Sequence, residues 1–393
     1  MALKMDTVIE IYDRERTIRR TTSLDPGDSH QYRAGREKQQ YRSIMTDNLI
    51  KNIKPPGKLR HVTRLFVCLL ATVVPLSVLA ETDWSSLSID NDVFYGSDDG
   101  YTGGFYYSWI DTPENNRPEI GLLAKAMRWS LSAGDLVADE YSIKTVGQAA
   151  VTPDDLDEKN PPLPPDDFPY GGLLFYSDTW LQAYAQQAEK IDVTIGIVGE
   201  YSFAEEFQKG FHKVIDATDP KGWDTQLNDE IVFQLSRGHM WRSWVSANGS
   251  SDLLLSGEAA LGTISSSVGV GAMYRFGEQL ERNYATALQI ASRAANPISA
   301  GPISVQSGWY YFAGVNATYL ANQIFLDGNT FDNDDQQSMD YDNEMIGATV
   351  GAVYSWQNWA LTFAMTDMNL IESNDRMDDY NQFGSLTLAW RND

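Results

Sequence analysis

Residues 309–320, Trp-Tyr-Tyr-Phe-Ala-Gly-Val-Asn-Ala-Thr-Tyr-Leu, carry the pattern that decides the fold. Small and bulky side chains alternate at period two here, and the same alternation returns in Gly347–Trp356. Successive side chains of a β-strand point to opposite faces of the sheet. A period of two therefore predicts strands whose two faces meet different surroundings.

Similar stretches of about ten residues recur from Trp84 to the end of the chain, separated by loops rich in Gly, Asn and Asp such as Asp327–Gln337 and Glu372–Asp379. They are rich in Tyr, Trp, Val and Ile. The predicted strands are Ser86–Phe94, Thr102–Ile110, Phe175–Gln187, Asp192–Gly199, Glu230–Val245, Leu253–Gly262, Ser265–Phe276, Ser307–Leu320, Glu344–Trp356, Ala360–Met368 and Ser385–Trp390.

These strands predict an all-β fold, a closed antiparallel transmembrane barrel of about 12 strands in the outer membrane. Aromatic residues make up 12% of the chain, and a barrel concentrates them at its two interfaces. Those near strand ends are Trp84, Trp109, Trp180, Trp241, Trp244, Trp356, Trp359 and Trp390. The alternative is a periplasmic β-sandwich, whose strands alternate in the same way.

A secretory signal is predicted before the first strand. The apolar run Leu65–Ala80 follows the basic residues Lys58, Arg60 and Arg64, and it is shorter than the roughly 20 residues of a membrane-spanning helix. Residues 1–63 are polar and form either a pre-sequence or a mis-assigned start, with Met45 as a later start. We therefore divide the chain into a pre-sequence or mis-assigned start at 1–63, a signal peptide at 64–80 and an outer-membrane barrel domain at 81–393.

Charge narrows the possible partners. Residues 1–80 hold 14 of the 30 Lys and Arg residues and 8 of the 54 Asp and Glu residues, so the part after residue 80 has 16 basic and 46 acidic residues, a net charge of −30. This excess argues against nucleic acid as a partner and suits hard cations such as Ca²⁺. The single cysteine, Cys68, lies in the apolar run, so the barrel region has no disulfide and no thiol nucleophile.

One segment departs from the strand pattern. Phe203, Phe207, Phe211, Val214 and Ile215 recur at helical spacing, and Glu205, Gln208 and His212 fall together on the opposite arc. A short amphipathic helix in an outer loop is therefore predicted, with a polar stripe centred on a histidine.

Two histidines follow the signal, His212 and His239. His239 is interpreted as structural, because it lies within a predicted strand. His212 lies beside Gln208 on the polar arc of the helix, where an imidazole is suited to act as general base for the attack of water on an ester.

The second polar cluster is Asp90-Asn91-Asp92, which precedes Asp98-Asp99-Gly100-Tyr101-Thr102-Gly103-Gly104. Its structural interpretation is a polar strand end followed by a Gly-rich turn. No Gly-x-Ser-x-Gly elbow and no His-Glu-x-x-His pair occurs anywhere in the chain. Water activated by histidine beside a metal-polarised carbonyl fits these residues better than acyl-enzyme chemistry through serine.

Six motifs in order resemble the outer-membrane lipid A 3'-O-deacylases, the LpxR family. They lie at 90–104, Thr152-Pro153-Asp154-Asp155, Pro169-Tyr170-Gly171-Gly172, Gly196-Ile197-Val198-Gly199, 206–213 and Gly222-Trp223-Asp224-Thr225-Gln226-Leu227 with Asp229-Glu230. The resemblance covers residues 85–235. Glu200 departs from it where proline usually follows Gly199, and so does Phe168, where arginine is common.

The resemblance implies a twelve-stranded barrel whose active site lies between the wall and a helix of an outer loop. It implies a Ca²⁺-dependent esterase acting on lipid A of lipopolysaccharide, in which His212 activates water, Asn91 helps to hold the oxyanion and Asp92 belongs to the Ca²⁺ site. Gln208 and Thr102 would line the pocket, and Glu230 is a further metal candidate. We expect a monomer in the bacterial outer membrane.

Two alternative functions stay open. One is an outer-membrane phospholipase or a lipid A deacylase of other positional specificity. The other is a non-catalytic barrel that serves as a pore or an adhesion scaffold.

The signal prediction can be tested on protein from the outer-membrane fraction. We expect amino-terminal sequencing to find a start at or near Glu81, because small residues precede it at the end of the apolar run. Protein that still carries residues 1–60 on the barrel would contradict this division of the chain.

Overall fold

The computed structural model describes residues 82–91, 100–112, 125, 127, 138–160, 167–215, 218–295, 308–331, 338–339, 341–368, 370 and 382–392. The predicted pre-sequence and signal peptide lie outside these residues. The strands are β1 Trp84–Asn91, β2 Gly100–Asp111, β3 Asp139–Thr152, β4 Gly171–Ala183, β5 Gln187–Val198, β6 Glu230–Val245, β7 Ser251–Gly262, β8 Ser265–Gly277, β9 Gly308–Gln323, β10 Glu344–Trp356, β11 Trp359–Asp367 and β12 Gln382–Arg391.

These twelve strands form a closed antiparallel barrel in which each strand pairs with its neighbours in sequence. β1 closes the barrel against β12, in a register that runs from Trp84 opposite Arg391 to Asn91 opposite Gly384. The all-β barrel prediction is confirmed. Among the described residues, the longer helices are α1 Ala204–Ile215 and α2 Tyr284–Ala295, with one short turn, α3 Ile324–Asp327.

None of the helices in the described ranges is long and apolar enough to cross a bilayer.

The outer face of the barrel is apolar, as the alternation predicted. Its exposed side chains include Ile231, Phe233, Leu255, Leu261, Val268, Val270, Val315, Val350, Leu361 and Leu388. An aromatic belt lies at the rim where β1 begins and β12 ends. Its members are Trp241, Trp244, Phe276, Trp309, Tyr354, Trp356, Trp359 and Trp390. Two predicted belt residues, Trp84 and Trp180, are instead buried in small apolar clusters.

The connections give the barrel an orientation. At the rim where β1 begins and β12 ends, residues 184–186, 246–250 and 357–358 make short turns, and 112–138 and 278–307 are longer connections. At the opposite rim every connection except 263–264 has at least eight residues. Outer-membrane barrels have short turns on the periplasmic side and longer loops on the cell surface. The segment 199–229, which contains α1, therefore belongs to the cell-surface end.

β3 was missing from the predicted strands, and its outer face explains why. Val146 is the bulky apolar side chain on the outward face of β3, but its neighbours on that face, Lys144, Gln148 and Ala150, are polar or small and so break the pattern of a lipid-facing strand. α1 packs against β3 and β4, so part of this face touches protein instead of lipid.

α2 was also not predicted, because it is buried on nearly every side and so shows no apolar stripe opposite a polar one. It lies inside the barrel in contact with strands β4 to β10. Arg275 anchors its beginning: the guanidinium donates to both Asp252 oxygens, at 2.9 and 2.8 Å, and to the carbonyl oxygens of Asn283 and Leu280.

Near its end, α2 touches two opposite parts of the wall. The Ser292 hydroxyl donates to Glu258 on β7 at 2.5 Å, and Glu258 is paired with Lys190 on β5 at 3.0 Å. The next residue, Arg293, forms a buried ion pair with Asp90 on β1.

Two glycines shape β2 beside Asp90. Gly103 has a φ of 153°, and a Cβ at this position would lie 2.7 Å from the Asp90 carbonyl oxygen. A Cβ on Gly104 would overlap the Tyr106 hydroxyl and lie 2.8 Å from the Tyr101 hydroxyl. These two hydroxyls are hydrogen-bonded to each other inside the barrel. The Gly-Gly pair therefore lies within β2, where it permits close packing, and not in the turn that the structural interpretation of the sequence expected.

The packing at Gly104 gives a stability prediction. Gly104→Ala should destabilise the barrel by about 1–3 kcal/mol, because the added methyl group has no space beside two buried tyrosines. Gly210→Ala is the matched control in α1, where nothing lies within 4 Å of the added Cβ, and alanine should stabilise the helix by about 0.5–1 kcal/mol. Denaturant unfolding of the barrel in liposomes measures both changes. Equal effects would show that Gly104 is not restricted by packing.

Candidate active site

A cleft lies between the barrel wall and α1. It contains about 410 Å³ of empty space, part of which is open to solvent. The lining residues are Asp90, Asn91, Gly103, Gly104, Phe105, Gln148, Ala149, Ala150, Phe207, Gln208, Phe211 and His212. Three of the residues predicted for the site, Asn91, Gln208 and His212, therefore meet in one place although they come from two distant parts of the chain.

The cleft is on the outer side of the wall. Asn91 shares a face of β1 with the exposed Leu87, and Phe105 shares a face of β2 with Tyr107 and Trp109 of the outer surface. Asp90, the residue before Asn91, faces the lumen, where it accepts a hydrogen bond from Arg293 of α2. The cleft therefore opens sideways toward the membrane at the cell-surface end.

The amphipathic helix is present as predicted, but its polar arc faces the protein. Gln208 and His212 are buried, with 5% and 3% of their surface exposed, whereas Phe207 is 41% exposed. The Phe207 and Phe211 rings lie 4.5 and 6.2 Å from the ring of Phe105 on β2. A lipid environment favours this arrangement, because the aromatic side chains can face hydrocarbon while the polar ones are shielded from it.

His212 is held in one ring orientation. Its Nδ1 lies 2.5 Å from the carbonyl oxygen of Thr218. A carbonyl oxygen can only accept, so Nδ1 carries the proton and donates it in this hydrogen bond. In the neutral ring Nε2 is then the basic nitrogen, which is the arrangement that a general base requires.

Gln208 is oriented by a tryptophan from the segment that follows α1. Trp223 is buried, and its indole Nε1 donates to Gln208 Oε1 at 2.9 Å. This hydrogen bond uses the oxygen of the Gln208 amide and does not involve its nitrogen, Nε2. Nε2 is buried and has no hydrogen-bond partner among the described residues, so it is a donor available to a ligand in the cleft.

The remaining predicted residues have different positions. Asn91 is the last described residue of β1 and lines the cleft. Asp92 lies outside the described residues, as do the other residues of the predicted cluster up to Asp99. Thr102 is within β2, next to Gly103.

Glu230 begins β6 opposite Val198 and does not line the cleft. Its Oε2 accepts a hydrogen bond from the Phe331 backbone at 3.3 Å, and Oε1 is buried without a partner among the described residues. No three His, Cys, Asp or Glu side chains come together as a metal site within the described ranges.

Glu205, the third member of the predicted polar arc, is used within the helix. Its carboxylate accepts a hydrogen bond of 2.7 Å from Lys209 one turn later, and this bond raises the pKa of the lysine. Glu205 is not among the residues that line the cleft. The polar stripe therefore divides into an ion pair at its start and two cleft residues at its end.

Several residues of the site were missed from the sequence. Phe105 lay in a predicted strand without a functional role, and Gln148 lay in the strand that was not predicted. Gln148 donates from Nε2 to the carbonyl oxygen of Ser202 at 2.5 Å, which ties the wall to the segment before α1. Trp223 belongs to one of the motifs that carry the family resemblance, but no sequence pattern predicts its hydrogen bond with Gln208.

His239 is away from the cleft. It lies in β6 opposite Glu189 and stacks on Trp241, with the ring centroids 4.1 Å apart. This stacking gives it a packing role near the aromatic belt.

A solved structure has a fold similar to that of this barrel. LpxR from Salmonella typhimurium superposes with a TM-score of 0.59 at 15% identity, covering 78% of this chain and 99% of that one. A KdgM porin in complex with oligogalacturonate matches with a TM-score of 0.32 at 6% identity, covering 78% of this chain and 98% of its own. No curated protein sequence matches the chain.

The family comparison covers most of the chain. The profile of the family described as outer membrane protein LpxR matches residues 65–392, which include all twelve strands, α1 and α2. The resemblance seen in the sequence motifs is thereby confirmed. The chain belongs to the LpxR family and is a β-barrel protein of the bacterial outer membrane.

Proposed function

We propose that this protein is a lipid A deacylase that hydrolyses the 3'-linked acyloxyacyl ester of lipid A, with His212 as general base. The observation that carries the proposal is the His212 imidazole in a cleft on the outer wall, oriented through Nδ1 by Thr218. Membership of the LpxR family supports the lipid A substrate.

The position of the cleft supports a lipid substrate. It opens at the cell-surface end of the barrel, at the level of the outer leaflet that lipid A occupies. Phe105, Phe207 and Phe211 offer an aromatic surface on which an acyl chain can lie, and Asn91, Gln208 and His212 offer polar groups beside it. An ester between a sugar and a fatty acid needs both kinds of surface.

The proposed reaction is direct hydrolysis. His212 Nε2 takes a proton from water, whose oxygen attacks the ester carbonyl and forms a tetrahedral oxyanion. The Asn91 side-chain amide holds this oxyanion, and the Gln208 Nε2 group, oriented by Trp223, donates a hydrogen bond to the substrate. The bond to the sugar oxygen then breaks, and the imidazolium returns its proton to that oxygen. The products are a free fatty acid and a sugar hydroxyl, and the enzyme acts as a monomer.

Ca²⁺ is part of the proposal, with Asp92 and Glu230 as the ligand candidates of the sequence, of which Glu230 does not line the cleft and is the weaker one. Asp92 would follow directly on the cleft residue Asn91, and Glu230 has a buried carboxylate oxygen without a partner among the described residues. Asp90 is less suited to a metal, because its carboxylate is already paired with Arg293. When bound, Ca²⁺ would supply a positive charge that polarises the ester carbonyl.

Replacement of His212 tests the function. His212→Asn keeps a polar side chain but removes the base, so we expect kcat to fall by about 10²–10⁴-fold. The folded barrel should migrate on gels as the wild type does. Mass spectrometry of lipid A from cells with each variant should show loss of the 3' acyloxyacyl chain with the wild type and intact lipid A with His212→Asn.

The matched control is His239→Asn, which removes the other histidine of the barrel and should leave activity intact. A folded His212→Asn protein that releases the acyl chain at the wild-type rate would contradict the mechanism. Products from phospholipids, or loss of a different acyl chain, would instead favour a phospholipase or another positional specificity.

Removal of the metal gives a separate test. Activity of the purified enzyme should disappear in excess EGTA and return with Ca²⁺ in preference to Zn²⁺, because carboxylate oxygens favour hard cations. Asp92→Asn should raise the Ca²⁺ concentration needed for half-maximal activity, since a ligand charge is lost. Full activity in excess chelator would remove Ca²⁺ and the metal role of Asp92 from the proposal.

A further inference from the structure

The lumen helix α2 and the cleft touch the same point of the wall from opposite sides. Asp90 and Asn91 are neighbours on β1, and neighbouring side chains of a strand point to opposite faces. Asp90 points inward to Arg293 at the end of α2, whereas Asn91 points outward into the cleft. A contact made inside the barrel can therefore control the backbone from which Asn91 projects.

The contacts of Asp90 join several strands. One carboxylate oxygen is paired with Arg293 and accepts from the Tyr101 hydroxyl of β2 at 3.1 Å. The other accepts from the Ser385 hydroxyl of β12 at 2.8 Å. The ends of β12, β1 and β2 at the cell-surface rim therefore meet at one carboxylate.

Arg293 is itself confined. Its guanidinium carbon lies 5.0 Å from the ring centre of Tyr106 and 5.6 Å from that of Phe383, and the residue is buried. Two aromatic rings from β2 and β12 thus enclose the cation. A guanidinium held in this way has little freedom to follow a displaced carboxylate, so it fixes the position of Asp90.

The β2 backbone beside Asn91 is irregular, so the fixed position of Asp90 matters for the end of β1. β2 shifts its register against β3 between Gly100 and Gly103, and Gly103 is the partner of Asn91 in the β1–β2 pair. Gly103 has a positive φ, and a Cβ at this position would lie only 2.7 Å from the Asp90 carbonyl oxygen, so the two strands are packed closely here. Ladder hydrogen bonds are disrupted at such an irregularity, so side-chain contacts have more influence on the strand end.

We infer that Arg293 is a positioning residue of the active site: its ion pair with Asp90 holds the end of β1 so that the Asn91 amide stays in the cleft with His212. This inference rests on the proposed role of Asn91 in holding the oxyanion. It gives the lumen helix a function in the reaction, although α2 does not line the cleft.

A neutral double variant tests the inference. Asp90→Asn with Arg293→Gln removes the ion pair without leaving one charge buried alone. We expect kcat to fall by about 10- to 100-fold, because misplacement of a group by about 1 Å is enough for such a loss. KM should change little, since the acyl surface formed by the phenylalanines is unaffected.

The matched control removes the other ion pair at the same end of α2. Glu258 accepts from Ser292, the residue before Arg293, and pairs with Lys190 on the wall away from the cleft. Lys190→Met with Glu258→Gln should leave kcat at the wild-type value. The single variant Arg293→Lys keeps the charge opposite Asp90. Its kcat should therefore lie between that of the Asp90–Arg293 double variant and that of the wild type.

Hydrogen exchange gives a readout that does not depend on turnover. Peptides from residues 84–91 and 100–112 should exchange faster in the Asp90–Arg293 variant and at the wild-type rate in the control. If the wild type hydrolyses no lipid A, the proposed function fails, and exchange alone decides whether Arg293 holds the strand end. Where the double variant does not migrate as a folded barrel, Arg293→Lys alone is compared with the control. Equal kcat and equal exchange in the Arg293 variant and the control would overturn the inference.

Discussion

The constraint on which the structure depends is that a bilayer core supplies no hydrogen-bond partners to the backbone. Every strand in the membrane must therefore pair on both edges, and a closed barrel meets this requirement. In this protein closure is made by β1 and β12, which pair along the whole of β1. Closure also separates an apolar face toward lipid from a lumen in which polar and charged side chains can be buried.

Charges buried in the lumen are stable only when they are paired, and one of these pairs connects the lumen helix to the wall. Asp252 is shared by Arg275 and Arg242 near the beginning of α2, and Asp90 is paired with Arg293 near its end. The beginning of the helix is held by hydrogen bonds from Arg275 to the carbonyl oxygens of Leu280 and Asn283, and its end is held by the ion pair of Arg293 with Asp90. Because Asp90 belongs to the strand that also carries Asn91, this internal packing reaches the candidate active site.

The candidate active site lies on the other side of the same wall, where the surroundings reverse the usual arrangement of an amphipathic helix. In water an apolar arc is buried and a polar arc is exposed. α1 instead buries Gln208 and His212 against the barrel and leaves Phe207 exposed. The result is a cleft with polar side chains and an aromatic edge, as the proposed binding of a lipid head together with its acyl chain requires.

Local periodicity in the sequence was enough to predict the barrel, eleven of its strands, the amphipathic helix and the position of His212 and Gln208 on one arc of that helix. It also indicated Asn91 through its neighbouring motif. The strand β3, which completes the wall, was recognised only in the tertiary structure. Several of its outward side chains are polar or small near α1, so the strand lacks the regular alternation of its neighbours. Only the tertiary structure showed that the segment from Tyr284 to Ala295 fills the lumen and that Arg293 meets Asp90 across 203 positions of sequence. Contacts of this kind arise from closure of the sheet and have no periodic pattern, so no local reading of residues can reveal them.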